Sequence, residues 1–385
     1  MGVVIVGAGL AGWRTAEELR ARGYDGRIEL IGAEQRPPYD RPPLSKKVLI
    51  EPDPPDPSLR ADFAALDVAF QPGVAVTSLD DLPAWDHLVI ATGALPIALP
   101  GPGRQRFLRT YEDALALRDM LKPGVRVAIV GAGWIGAELA TAAAGHGCEV
   151  TVVEAAATPL AAALPAELGE LTAAWYHAAG VELRTGVKVG SVEDGGLAFA
   201  DGEFLNADVV VTAVGVRPAV AWLAGSGITT GNGVEVDEGL RASVPGVYAA
   251  GDCAAFWSRR FGRRLRVEHW DAALHAPEVV AANVLGADEA YDVVPYFWSE
   301  QFGRMLQYAG HHGDAATLVR RGDPAYDAKW AVCWLNAGGQ LVAILTVDRH
   351  RDLVQGRRAI ADGIPLDPAR LADPAVPLKQ AVAPS

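Results

Sequence analysis

Two glycine-rich segments of the chain have the spacing that can bind a pyrophosphate. Each follows the pattern GxGxxG, at residues 7–12 (GAGLAG) and again at 131–136 (GAGWIG). In this pattern the first glycine permits a tight turn, the second lets backbone amides approach phosphate oxygens, and the third lets a helix pack against a strand. The helix that follows offers unpaired N–H groups and a positive partial charge. The two segments therefore predict two phosphate cradles in one chain.

An acidic residue is expected near the end of the second strand of each such unit, where it binds a ribose. The second unit offers Glu154, and the first offers Glu34, which follows Ala33 a short way beyond the strand. Two cradles predict two dinucleotides, which we interpret as FAD and a nicotinamide dinucleotide. No arginine in 155–157 offsets Glu154, so a 2′-phosphate would meet an uncompensated carboxylate. This favours NADH over NADPH by roughly 1–3 kcal/mol, or about 5- to 150-fold.

The hydrophobic pattern places both cradles in a βαβ context. Apolar runs at 3–6 and 126–130 precede them, helical stretches follow to 22 and to about 145, and second strands are predicted at 27–31 and 149–153. Later apolar runs at 87–91, 209–213 and 247–250 are also read as strands. Alternating apolar residues and tryptophans in the last ninety or so residues predict an antiparallel sheet. The tail from about Pro365, rich in Pro and Ala, is expected to pack loosely.

Composition excludes several other classes of protein. The chain has 385 residues, of which 50% are hydrophobic and 21% charged, which is typical of a globular protein with more than one domain. Its net charge of −13 argues against a protein wrapped in nucleic acid. The three cysteines form no CxxC or CxxxxC pair, so we predict neither a metal site nor a local redox disulfide. So few cysteines are typical of a protein from a reducing cytoplasm. With no targeting segment and no apolar run of roughly 20 residues, we expect a soluble protein.

Five further motifs carry a resemblance to a known family. They are residues 38–46 (PYDRPPLSK), 91–93 (ATG), 251–252 (GD), 266–270 (RVEHW) and 295–299 (PYFWS). With these motifs the chain resembles, over nearly its whole length, the single-FAD, NADH-dependent ferredoxin reductases that serve Rieske dioxygenases and bacterial cytochromes P450. The resemblance implies an α/β fold with two Rossmann-like dinucleotide-binding domains of glutathione-reductase-like topology and a C-terminal α+β domain. The implied domains are an FAD domain (1–110 and 237–293), an NADH domain (111–236) and a C-terminal reductase domain (294–385).

The same resemblance implies roles for individual residues. Lys46 would lie beside the flavin ring and pair with Glu138, whose carboxylate would keep the lysine charged in a partly dry site. Trp270 would offer its backbone N–H to the flavin, and Trp298 would cover the ring. The implied FAD-binding residues are Gly7, Gly9, Leu10, Ala11, Gly12, Ala33, Glu34, Arg41, Lys46, Val76, Ala91, Thr92, Gly93, Arg109, Gly251, Asp252, Glu268, His269, Trp270 and Trp298. The implied NADH-binding residues are Gly131, Gly133, Trp134, Ile135, Gly136, Glu138, Glu154 and Gly215.

One segment departs from the family pattern. Members of the family usually carry a β-hairpin before the ATG strand, whereas 76–86 leaves no room for a full hairpin. The resemblance implies that the backbone of Val76 meets the FAD adenine; the short segment leaves the exact adenine contacts open and does not change the expectation that FAD binds.

The activity implied by the resemblance is a two-step relay. NADH delivers a hydride to FAD, and the reduced flavin passes single electrons to a small acidic [2Fe-2S] ferredoxin that serves a cytochrome P450 or a Rieske-type oxygenase. Because both proteins would be negatively charged, docking requires a local positive patch. We assign that patch to Arg259, Arg260, Arg263, Arg264 and Arg266, with Arg304, Arg320 and Arg321 as an extension. The protein itself is expected to be a monomer or a homodimer.

Two alternatives remain open from the sequence. The first is another flavoprotein, either an NADH oxidase or a reductase for rubredoxin or a nitrite-reductase partner. An oxidase of this fold usually relies on a cysteine near the flavin, and residues 44–46 (LSK) contain none. The second is a non-catalytic flavin-binding interaction protein. Two complete cradles and both members of the Lys46–Glu138 pair argue against it.

Overall fold

A computed structural model describes residues 2–161 and 163–383 of the chain. Its strands are, in chain order, β1 (Gly2–Val6), β2 (Arg27–Gly32), β3 (Val68–Pro72), β4 (His87–Ile90), β5 (Ala94–Pro96), β6 (Gln105–Arg106), β7 (Arg126–Val130), β8 (Glu149–Glu154), β9 (Glu182–Thr185), β10 (Val189–Glu193), β11 (Gly196–Phe199), β12 (Phe204–Asn206), β13 (Val209–Thr212), β14 (Val216–Pro218), β15 (Thr230–Gly231), β16 (Gly233–Val236), β17 (Val247–Ala249), β18 (Ala254–Ser258), β19 (Arg263–Leu265), β20 (Tyr296–Gln301), β21 (Arg304–Gly310), β22 (Thr317–Arg321), β23 (Trp330–Leu335) and β24 (Leu341–Val347). Its α-helices are α1 (Leu10–Ala21), α2 (Lys47–Ile50), α3 (Tyr111–Met120), α4 (Trp134–Gly145), α5 (Ala166–Ala178), α6 (Trp270–Val284), α7 (His350–Asp362) and α8 (Pro368–Ala372).

The chain divides into two compact units, of which the first comprises Met1–Asp40, Pro57–Leu95 and Arg217–Phe297. Its main sheet is parallel, with the strand order β17-β4-β1-β2-β3. Every residue of β1 is buried, as expected for a central parallel strand that is covered on both faces. Helices α1 and α6 pack against each other, and the smaller sheet β15-β16-β18-β19 completes the unit.

The second unit comprises Arg41–Asp56, Pro96–Val216 and Trp298–Ser385. Its parallel sheet has the order β6-β13-β7-β8-β9, and an antiparallel sheet of β10, β11 and β12 shares an apolar core with it. Each unit therefore contains one of the two predicted βαβ elements, built on a parallel sheet.

The C-terminal part of the second unit is an antiparallel sheet with the order β20-β21-β24-β23-β22, against which α7 packs. All six residues of β23 are buried. The predicted antiparallel sheet is therefore confirmed, and with it the α/β fold class with two Rossmann-like sheets and a C-terminal sheet domain.

The expectation of a loosely packed tail is wrong. Leu371 and Leu378 are fully buried, and so is Arg321, which is only 1% exposed and binds the tail. Its guanidinium donates to the carbonyl oxygens of Leu371 (3.0 Å), Asp373 (2.5 Å) and Val376 (2.6 Å). The proline content misled the prediction because contacts with a distant strand, rather than local propensity, order this segment.

The segment before β4 is short, as expected. Within 73–86, all of which the structure describes, the regular structure is a single 3-10 turn at Leu79–Asp81. Ser78 and Asp81 cap that turn reciprocally. Among the described residues, no helix is both long enough and apolar enough to cross a bilayer.

Candidate functional site

The first cradle connects β1 to α1 in the first unit. Gly7 has a φ of +111°, and a Cβ there would overlap the carbonyl of Ala91. A Cβ on Gly12 would overlap the carbonyl of Gly7, because the first turn of α1 packs directly on the loop. Glycine is therefore required at both positions by geometry that the structure itself shows.

The second cradle repeats this geometry between β7 and α4 in the second unit. Gly131 has a φ of +104°, and a Cβ there would collide with the carbonyl of Ala213. A Cβ on Gly136 would overlap the carbonyl of Gly131. The two cradles thus share their backbone conformation although they lie in different units.

The helix ends at both cradles have the form that a pyrophosphate requires. Gly9 and Gly133 are the N-cap residues of α1 and α4, and neither helix has a side-chain cap or an acidic residue in its first turn. A Cβ on Gly9 or Gly133 would meet no atom within 4 Å, so the backbone faces open space there. Uncapped helical N–H groups next to open space fit a bound diphosphate.

Glu34 follows β2, and the end of β2 adjoins the first cradle, because the backbone N–H of Gly7 donates to the carbonyl of Ile31 at 2.8 Å. Tyr39 donates its hydroxyl proton to Glu34 Oε2 at 2.6 Å, and Tyr39 is itself buried. The tyrosine therefore orients the carboxylate predicted to bind a ribose. Ala33, placed in the same FAD set, is exposed just before it.

Glu154 ends β8 and is joined to the second cradle. Its Oε2 accepts the backbone N–H of Ala132 at 2.7 Å, and its Oε1 accepts that of Ala156 at 2.8 Å. A carboxylate has about four acceptor positions, so each oxygen can still accept a ribose hydroxyl. The geometry fits a ribose and would place a 2′-phosphate against a fixed negative charge. Gly215, at a φ of +106°, follows β13, the strand that pairs with β7.

The ATG and GD motifs meet at one edge of the first unit's parallel sheet. They follow β4, which pairs with β1, and β17, which pairs with β4, so their carboxyl ends lie at the same edge of the parallel sheet as the first cradle. Thr92 donates its hydroxyl to the carbonyl of Ala219 at 2.8 Å, and Gly251 lies against Ala11. Ligands of open α/β sheets bind at this edge, and the predicted residues Ala91, Thr92, Gly93, Gly251 and Asp252 lie there together with the first cradle.

The RVEHW motif leads into α6. Trp270 begins the helix, and its indole N–H donates to Asp40 Oδ1 at 2.8 Å. His269 is the N-cap, with its ring against Phe297 at 4.8 Å. Burial lowers the pKa of His269 to about 4, although the charge of Asp252 acts in the opposite direction.

His269 also leaves a polar atom unsatisfied. Its buried Nδ1 has no hydrogen-bond partner among the described residues. A neutral imidazole with an open hydrogen-bonding position near Asp252 fits a site that binds a polar cofactor. Glu268, the preceding residue of the motif, is 41% exposed in its side chain and pairs with Arg266 at 2.6 Å.

Lys46 and Glu138 lie together in the second unit. Lys46 Nζ is 2.8 Å from Glu138 Oε2, and the side chains are 14% and 3% exposed. Lys46 directly follows a 3-10 turn at Pro42–Ser45, and Glu138 lies in the second turn of α4. A buried carboxylate must be paired and hydrogen-bonded, and this one is.

The other members of the predicted FAD set are distributed over both units. Arg41 donates to the carbonyl of Arg109 in the second unit, where Trp298 is half-buried on β20. Val76 packs against the core of the first unit. The structure thus locates each of these residues, and their roles toward FAD stay predictions.

The predicted docking arginines are largely engaged within the first unit. Arg259 pairs with Glu238, Arg260 with Asp292 at 2.9 Å, Arg264 with Glu235 at 3.8 Å, and Arg266 with Glu268. Arg264 also donates to the carbonyls of Val236 and Ala255. The net charge offered to a partner is therefore smaller than five arginines suggest. The proposed extension is engaged too: Arg304 lies over the Trp175 ring, Arg320 pairs with Glu167, and Arg321 is buried.

The cysteines form no redox pair. Cys148, Cys253 and Cys333 are all free thiols. Burial raises the pKa of Cys253 to about 11 and that of Cys333 to about 12. Both thiols therefore stay protonated at neutral pH and are poor nucleophiles.

Sequence reasoning missed four residues of these sites. Tyr39 and Asp40 orient Glu34 and Trp270, and Ser45 and Ser299 bind the carboxylate of Glu138. All four stand inside motifs that carried the family resemblance. Position within those motifs was the available signal, but the partners lie elsewhere in the chain.

Comparison with known proteins supports the geometry. Residues 1–276 match the family described as pyridine nucleotide-disulphide oxidoreductase, and 296–382 match the reductase C-terminal family. The chain is 40% identical to the ferredoxin–NAD(+) reductase component of the anthranilate 1,2-dioxygenase system of Burkholderia cepacia, over 98% of each chain. It is 32% identical to putidaredoxin reductase of Pseudomonas putida, over 99% of this chain and 96% of the relative.

Solved structures agree with these relatives. The crystal structure of Fdr9 covers 100% of both chains with a TM-score of 0.94 and 48% identity. Putidaredoxin reductase in its covalent complex with putidaredoxin gives a TM-score of 0.92 at 31% identity, over 99% of this chain and 97% of that one. The resemblance drawn from the sequence is therefore confirmed, and the chain belongs to the pyridine nucleotide-disulphide oxidoreductase family, among its ferredoxin–NAD(+) reductases with a reductase C-terminal domain.

Proposed function

We propose that this protein is an FAD-dependent oxidoreductase that passes electrons from NADH to a [2Fe-2S] ferredoxin serving a cytochrome P450 or a Rieske-type oxygenase. The observation that carries the proposal is the presence of two uncapped glycine cradles of matching geometry, one in each unit. Bound in this way, FAD would supply the redox chemistry, namely two-electron reduction by a nicotinamide and release of electrons one at a time. Relatives named for ferredoxin reduction support the same activity.

The chain's own residues bind and orient in this proposal. The cradle at 7–12, with Glu34 and Asp252, would hold FAD, and the cradle at 131–136, with Glu154, would hold the nicotinamide dinucleotide. Lys46 would supply positive charge to the reduced flavin, and Glu138 would hold that ammonium group in place. With no paired cysteines, the chain lacks the dithiol that disulfide reductases of similar topology use.

We propose a preference for NADH over NADPH, which rests on Glu154. Both of its oxygens are oriented by backbone N–H groups, so the carboxylate cannot easily turn away from a 2′-phosphate. Residues 155–157 are alanines and supply no compensating cation. The names of the relatives, which specify NAD(+), agree with this preference.

The proposed partner is a small acidic ferredoxin, and the proposed docking surface includes the hairpin of β18 and β19 with its arginines. Because four of these arginines have carboxylate neighbours, the surface would gain specificity and association rate from charge more than affinity. We also propose a cytoplasmic location, which the three free thiols favour. The domain limits 1–110 with 237–293, 111–236 and 294–385 are part of the proposal.

An anaerobic assay with a panel of [2Fe-2S] ferredoxins, putidaredoxin included, tests the proposal. NADH and a catalytic amount of the FAD-loaded protein should bleach the visible band of at least one ferredoxin at many turnovers. If no ferredoxin is reduced anaerobically and NADH is oxidised only after oxygen is admitted, the result would instead support an NADH oxidase and contradict the proposal.

A further inference from the structure

Glu138 receives more hydrogen bonds than its ion pair with Lys46 provides. Its Oε2 accepts from Lys46 Nζ at 2.8 Å and from the hydroxyl of Ser45. Its Oε1 accepts from the hydroxyl of Ser299 at 2.6 Å and from the backbone N–H of Glu300 at 3.3 Å. Four donors from two separate segments therefore surround a carboxylate that is 3% exposed.

The direction of the Ser299 hydroxyl is set by a neighbour. Gln301 Nε2 donates to Ser299 Oγ at 3.0 Å, and Ser299 and Gln301 are 0% and 1% exposed. A hydroxyl has a single proton to donate. Because Ser299 Oγ accepts from Gln301, that proton points to Glu138 Oε1. β20 therefore presents a donor of fixed direction to the carboxylate.

Ser45 acts on the other oxygen. It ends the 3-10 turn at Pro42–Ser45 and directly precedes Lys46, so the two residues donate to Oε2 from one short segment. Lys46 Nζ also lies 3.4 Å from Ser45 Oγ. Since each carboxylate oxygen is held by its own serine, the Glu138 side chain cannot rotate without breaking a buried hydrogen bond.

We propose that Ser45 and Ser299 are positioning residues that hold Glu138 as a fixed carboxylate directed at Lys46, with Gln301 orienting Ser299. This inference rests on the proposed function, in which Lys46 supplies charge to the reduced flavin. The hydroxyls of both serines bind the Glu138 carboxylate. They act through Glu138.

A double-mutant cycle in rates tests the proposal. In the FAD-loaded protein, Ser299→Ala should slow anaerobic flavin reduction by NADH about tenfold, the effect of removing one hydrogen bond to a charged group. In a Lys46→Met background the same substitution should change the rate less than twofold, because the group on which it acts is gone. Ser45→Ala should behave in the same way. Equal losses in both backgrounds would mean a general structural defect and would overturn the proposal.

A second cycle reads the contacts without turnover. Ser299→Ala should raise the urea unfolding constant of the FAD-loaded protein roughly tenfold or more, because it leaves a buried carboxylate short of a donor. In a Glu138→Met background it should have almost no effect, since the acceptor is absent. Additive effects would contradict the proposal. Ser258→Ala is the matched control: Ser258 is a buried serine, 2% exposed, in the other unit, and should show no coupling with Glu138.

The two cycles separate this inference from the proposed function. If the wild-type protein binds FAD but NADH does not reduce it, the proposed function fails, and the unfolding cycle still tests the contacts. If NADH reduces the wild-type flavin and both cycles are additive, the inference alone fails.

Discussion

Burial of the His269 imidazole makes the free energy of unfolding of this protein depend on pH. Burial lowers the pKa of this imidazole from 6.5 to about 4. The folded protein therefore binds this proton less readily than the unfolded chain does. Stability from this residue is fully present above pH 6.5 and is lost as the pH falls toward 4. Linkage with these two values gives a loss of about 2 kcal/mol between pH 7 and pH 5.

Replacing the imidazole should remove this loss. The free energy of unfolding of the wild-type protein should decrease between pH 7 and pH 5. That of His269→Gln should decrease by about 2 kcal/mol less. Urea unfolding followed by tryptophan fluorescence at the two pH values measures the difference. His177→Gln, at an exposed histidine on α5, is the matched control and should keep the wild-type pH dependence.

If His269→Gln and the wild-type protein lose the same free energy of unfolding on acidification, burial does not hold the imidazole neutral. His269 would then not offer a neutral imidazole to a bound cofactor.

Three further predictions concern single contacts. Arg321→Ala should cost roughly 3–5 kcal/mol and expose the tail to protease, because it leaves three tail carbonyl oxygens without their donor and leaves Asp352 with Arg349 as its ion-pair partner; an unchanged melting temperature would contradict the anchoring role. Glu154→Ala should raise the ratio of NADPH to NADH specificity constants by about 5- to 150-fold, and an unchanged ratio would remove Glu154 as the discriminating residue. Arg259→Gln with Arg260→Gln should raise the KM for ferredoxin and flatten its salt dependence; unaltered kinetics across ionic strength would exclude this hairpin from docking.

The parts of the fold that local pattern specifies could be predicted from the sequence. Strand β7 spans the predicted residues 126–130, and each cradle follows the apolar strand that the sequence placed before it. These features depend on residues that are neighbours along the chain, where glycine spacing and apolar runs carry the physics.

The parts that depend on distant contacts could not. Nothing near Pro365 shows that Arg321 binds the carbonyls of the tail, and nothing near Arg259 shows that Glu238 lies against it. Lys46 and Glu138 were paired through the resemblance alone, and the two serines that complete their site, Ser45 and Ser299, lie far from Glu138 in the chain. Hydrogen-bond partners of this kind follow from the tertiary fold rather than from spacing.

We propose that NADH reduces a flavin bound to this protein. The decisive measurement is an anaerobic titration of the purified protein with NADH, and separately with NADPH, while the visible flavin band is recorded. We expect a yellow protein that stoichiometric NADH bleaches and that NADPH bleaches far more slowly. A yellow protein that NADH leaves unbleached would contradict this proposal and would favour a flavin-binding protein without turnover.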